Sequence, residues 1–127
     1  MNYDELNKKL KELKIEDYIW VIYIGIIFIS WYSNSLERKY FVFNDQKSKQ
    51  EYRNIIIFIF SILIIVYFYF FKQSLNDVKN LRANDSNKKK TLTYLSFYAS
   101  LFILISGLIF LYIAIVDKDL SIELAFD

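Results

Sequence analysis

Three long stretches of this sequence carry no charged side chain: residues 18–36, 54–71 and 91–116. The 16 basic and 14 acidic residues fall in four blocks between and around them. A helix that folds in water needs charge on one face at about every turn, so charge segregated in this way calls for a lipid solvent. At 1.5 Å per residue, about 20 residues cross a hydrocarbon core of about 30 Å. The second stretch is the shortest, but Arg53 and Lys72 flank it and can snorkel to the headgroups. The third is long enough to cross with some tilt.

Within the second stretch, Ile55, Ile56, Ile57, Phe58, Ile59 and Phe60 are apolar at every helical angle, so no wettable side exists. Ile, Val, Phe and Tyr also favour strands. Three strands cannot close a barrel, however, and open sheet edges are not tolerated in lipid. The expected fold is therefore all-α: an integral membrane protein with three transmembrane helices in a small bundle. The spans are expected at about 18–35, 54–72 and 92–116, within one membrane domain covering 1–127.

Composition supports this reading and removes several chemistries. Hydrophobic residues make up 55% of the chain and aromatic residues 20%, high values for a soluble domain of 127 residues. With no Cys and no His, the chain has no disulfide, thiolate nucleophile, imidazole base or Cys/His metal site. There is no proline and glycine occurs twice, which disfavours unwound transporter helices and re-entrant loops. Ile, Lys, Asn, Phe and Tyr, all specified by AT-rich codons, supply 65 of the residues. Many of the aromatics are thus expected as span filler from a low-GC genome. Trp20, Trp31, Tyr32, Tyr67, Tyr69, Tyr94, Tyr98 and Tyr112 fall mainly toward the ends of the stretches, as interfacial anchors do. Tyr23 sits deeper, and its hydroxyl calls for a partner.

Outside the spans, residues 1–16 read as a short amphipathic helix. Tyr3, Leu6, Leu10, Leu13 and then Trp20 follow 3–4 spacing, with Asp17 interrupting, and Lys8, Lys9, Lys11 and Glu12 lie opposite. Such a segment either lies on the membrane surface or continues the first span. Its alternative, a coiled-coil seam, has only two heptads behind it. Cleavage of the first span as a signal peptide is disfavoured by the long preceding segment and by Trp31 and Tyr32 crowding Ser33-Asn34-Ser35. Ser48-Lys49-Gln50-Glu51 has the pattern of a capping box and places the start of the second helix several residues before the lipid. That helix is expected to run on through Leu75, Val78 and Leu81, until Asn84-Asp85-Ser86-Asn87 compete for its backbone bonds.

Lys88, Lys89 and Lys90 adjoin the third span. They read as a topology anchor or as a site for anionic lipid, each lysine contributing about 1 kcal/mol near a charged surface. The membrane accounts for them, so nucleic acid is not expected as a partner. The tail 117–127 is acidic, with Asp117, Asp119, Glu123 and Asp127 against Lys118, and reads as solvated; two nearby carboxylates make a weak metal pattern. The N-terminal segment and the loop after span two hold ten Lys and Arg, while the loop after span one and the tail hold six. The positive-inside rule then favours a cytoplasmic N-terminus and an external C-terminus.

The spans contain no ionisable Asp, Glu, Lys, Arg or His, which argues against a proton-coupled pump and an intramembrane Ser-His protease. Their polar groups are hydroxyl and amide. In span three, Ser96, Ser100, Gly107 and Ala114 share one face at near-heptad spacing, together with residues 103 and 110 or 111. Small residues let helices approach closely, so this stripe is expected as a helix contact, within the chain or with another protein. No residue set points to catalysis or a cofactor. The expected role is a non-enzymatic accessory, adaptor or immunity-type interaction protein, with the bilayer and another membrane protein or a second copy as partners. The alternative is a homo-oligomeric pore or holin-like permeability factor, although no span shows a continuous polar face to line one.

Overall fold

The computed structural model describes residues 2–122 and 124. The chain forms three helices, α1 (Tyr3–Phe43), α2 (Gln46–Lys79) and α3 (Asn87–Val116), with no strand among the described residues. Each is long and apolar enough to cross a membrane. The fold is all-α and three-helical, and its outer faces carry large apolar side chains: Trp20, Ile24, Ile27, Phe28 and Trp31 on α1, and Leu95, Phe102 and Ile109 on α3, are all about half exposed or more. Water would not tolerate apolar area of this extent, whereas hydrocarbon does.

The first helix is one unbroken rod of 41 residues, about 60 Å long. The amphipathic N-terminal segment is thus the leading end of α1, and no separate surface helix forms. Asp17 lies exposed within it, and the helix runs on through it at the small propensity cost of an interior Asp. Asn2 caps the rod by accepting from the Glu5 amide at 2.8 Å, and Asp4 and Glu5 complement the positive helix end. Asn44 ends it in the left-handed region, with φ 53, a conformation Asn tolerates better than most residues.

Two residues separate α1 from α2, and the cap of α2 is Asp45. Its carbonyl accepts from the Lys49 amide at 3.1 Å, and its carboxylate accepts from the Lys47 amide at 3.1 Å and the Ser48 hydroxyl at 2.8 Å. The box expected from Ser48 does not form. Ser48 is buried in the first turn, and Glu51 accepts from the Tyr32 hydroxyl at 2.9 Å instead of reaching back. A carboxylate three residues upstream of Ser48 is the stronger acceptor, so it takes the cap. At its far end α2 stops at Lys79, short of Leu81, and Asn80 to Ser86 form the turn.

The chain divides into two compact units, Met1–Tyr52 and Arg53–Asp127, with the boundary inside α2. In the first, Ser33 and Leu36 are buried, and Ser33 donates to its own helix at the Ser30 carbonyl, 2.7 Å away. Near the α1–α2 connection the Lys49 ammonium lies 5.1 Å from the centre of the Tyr40 ring. In the second, α2 from Arg53 onward runs antiparallel to α3. Arg53 donates to the Ile115 carbonyl at 3.1 Å, Phe60 stacks on Phe110 at 5.7 Å, and Phe71 meets Phe97 at 5.5 Å.

Candidate functional site

Two features of the second unit merit attention: the seam along which α2 and α3 pack, and a groove where their connecting turn meets the helices.

The seam follows a seven-residue repeat. On α3, Thr93, Ser100, Gly107 and Ala114 form one row and Phe97, Leu104 and Leu111 the next, and all are at least partly buried. On α2, Arg53, Phe60 and Tyr67 repeat at seven, as do Ile64 and Phe71. A strict seven-residue repeat on a helix of 3.6 residues per turn produces a left-handed pairing at a shallow angle. Gly107 is a point of close approach: a Cβ placed there would lie 3.0 Å from the Tyr67 ring and 3.5 Å from Ile64. Ala114, one heptad on, is buried as well.

Of the stripe read from the sequence, Ser100 is half-buried, Gly107 and Ala114 are buried, and Ser96 is exposed beside the seam. Of its other positions, residue 103 is exposed, whereas Phe110 stacks on Phe60 and Leu111 is half-buried. Phe97, one residue on from Ser96, meets Phe71 across the seam at 5.5 Å. The hydroxyls do not bridge helices here. Ser100 donates to the Phe97 carbonyl at 2.8 Å and Ser61 to the Ile57 carbonyl at 2.7 Å, each within its own helix.

At the far end of the seam, α3 has no basic residue in its last turn, and Arg53 of α2 supplies a cation to its terminal carbonyls. Beyond it, Asp117 folds the start of the tail. Its carboxylate accepts from the Ile122 amide at 2.8 Å and the Ser121 amide at 3.0 Å, and these bonds hold it below the usual carboxylate range. The acidic tail is therefore turned and bonded over 117–122, while Glu123 and Asp127 lie outside the described residues. No group of three acidic residues that could hold a metal occurs among the described residues.

The groove lies at the closed end of the hairpin and has a volume of about 640 Å³. Asp77 lines it from the end of α2, Asn80 and Leu81 from the turn, and Lys88, Lys89 and Ser96 from the start of α3. Ser86 caps α3 by accepting from the Lys89 amide at 3.1 Å. Asp85 braces the turn, its carboxylate accepting from the Arg82 amide at 2.7 Å and facing the Lys89 ammonium at 3.4 Å; the amide bond, then the lysine, lowers its pKa. Lys90 stands apart from the groove, its ammonium donating to the Ala83 carbonyl at 3.0 Å. The lysine triplet thus splits, two facing the groove and one bracing the turn. Asp77 and Asn80 were not legible as partners of the triplet, because nothing in the sequence fixes where α2 stops.

No family model, curated protein or solved structure matches this chain.

Proposed function

We propose that the chain is a non-enzymatic accessory, adaptor or immunity-type protein of the membrane that acts by docking its helices on another membrane protein. The observation that carries this reading is the division of labour between the faces of α3. Its small residues, Gly107 and Ala114, are consumed by contact within the hairpin, while its outer face presents Leu95, Phe102, Ile109 and Tyr112. An outer face of this kind, with no ionisable group in the span, suits association by shape in lipid rather than conduction or proton transfer. The positive-charge balance orients the chain with its N-terminus in the cytoplasm and its C-terminus outside.

Purification of the full chain from its native membrane in mild detergent tests the reading. One partner at fixed stoichiometry is the expected result. A chain that runs alone as a monomer overturns it, and dye entry with growth arrest on expression replaces it with the permeability reading.

A further inference from the structure

We propose that the groove at the α2–α3 turn binds the headgroup of an anionic phospholipid, a singly charged phosphodiester with hydroxyls on its polar end. This goes beyond the docking role and does not rest on it.

Charge is the first observation. The opening turn of α3 carries three lysines and no acid, and a helix start is already positive, so these lysines repel one another and the helix end. Protein groups relieve only part of this. Lys89 faces Asp85 at 3.4 Å and Lys90 donates to Ala83, whereas the Lys88 ammonium has no protein partner among the described residues. An anion between Lys88 and Lys89 would complete the set.

Shape and polarity are the second. The groove runs from the turn as far as Ser96, nine residues past Asn87, so it extends about 14 Å along α3. Lys88 and Lys89 make one end of its lining cationic, and along α3 the lining continues past Leu92 and Thr93 to Ser96. The uncharged stretch begins at residue 91, so the lysines stand at headgroup depth and Leu92 at the edge of the hydrocarbon. A phospholipid matches both ends, with phosphate at the lysines and acyl chain along Leu92 toward Ser96. A free phosphate would fill only the cationic end. Asp77 on the opposite wall selects further: it repels a doubly charged headgroup but accepts from the hydroxyls of a glycerol, with Asn80 beside it.

The test uses the full chain in detergent, titrated with dioleoylphosphatidylglycerol or dioleoylphosphatidylcholine and read by native mass spectrometry. One phosphatidylglycerol should be retained saturably in preference to phosphatidylcholine. Lys88→Gln should weaken that preference about fivefold, and K88Q/K89Q about thirtyfold. Ser96→Leu keeps every lysine but fills the exposed groove, and should abolish the preference with helicity unchanged. The pair K8Q/K9Q removes the same charge elsewhere and should leave it intact. Equal loss in K8Q/K9Q, an unaffected S96L, or no preference in the wild-type chain overturns the proposal. Displacement of the lipid by inorganic phosphate overturns the lipid assignment in favour of a free anion.

Discussion

Gly25 and Gly107 are the only glycines, and they do different work. A Cβ at Gly107 meets the Tyr67 ring at 3.0 Å, closer than carbon contacts sit at rest, while a Cβ at Gly25 meets nothing within 4 Å. The ring edge of Tyr67 and the Ile64 side chain at 3.5 Å both stand over the site, so an added side chain must displace one of them. Gly107→Leu should therefore destabilise the α2–α3 pair by about 1–3 kcal/mol, as overpacking a close contact does. Gly25→Leu should stay within about 0.5 kcal/mol of the parent. Denaturation of the two variants in mixed micelles compares them, and equal losses would remove Gly107 from its place in the seam. In the double variant G107L/Y67A the loss should shrink, since the obstructing ring is gone.

At the scale of single helices, the ends of α2 show how a short polar segment fixes a rod of 34 residues. Asp45 holds the start through the Ser48 hydroxyl and the Lys47 amide, and the hydroxyl bond foremost keeps its carboxyl below the ordinary range. A carboxylate with a lowered folded pKa contributes stability that is fully present above its unfolded value, about 3.9, and is lost as pH falls through the folded value. Hydrogen exchange at the Lys47 and Lys49 amides should accordingly lose protection on acidification below about 3.9, while the middle of α2 keeps its protection. Asp45→Ala should show weak protection at both amides near neutral pH and no acid step. An acid step that persists in D45A would place the titrating group elsewhere. The helix itself was legible, because its apolar run leaves no other choice. The cap was not: the pattern Ser48-x-x-Glu51 obeys the same rule as the cap that forms, and only the competition with Asp45 decides between them. The heptad seam was half legible for a related reason. Gly107 and Ala114 announce one row by size, but the second row depends on where the Phe97 ring goes, and that is settled by Phe71 on another helix. Likewise the groove needs the stopping point of α2, and the Asp85 bond that braces the turn beyond it is not fixed by local propensity.

For the molecule as a whole, the decisive quantity is the distribution of positive charge across three spans. If all three helices cross, ten lysines and arginines fall on one side against six on the other, a modest bias of which Lys88, Lys89 and Lys90 supply three of the ten. The chain has no cysteine, so single cysteines report cleanly. Asn7→Cys, Gln46→Cys, Asn84→Cys and Ser121→Cys all change exposed, uncharged residues and leave the balance untouched. A membrane-impermeant maleimide applied to intact cells should label positions 46 and 121, and should reach 7 and 84 only after lysis. The reverse pattern would invert the orientation, and uniform labelling would dissolve the three-span topology. Replacing the triplet with glutamines leaves seven positive residues against six, a difference too small to hold one orientation against thermal mixing. K88Q/K89Q/K90Q should then label partially at all four positions. S96L blocks the groove without removing a charge, so it should keep the parental labelling pattern. If S96L scrambled the orientation as the glutamine variant does, the lysines would be setting topology through a lipid held in the groove and not through their own reluctance to cross.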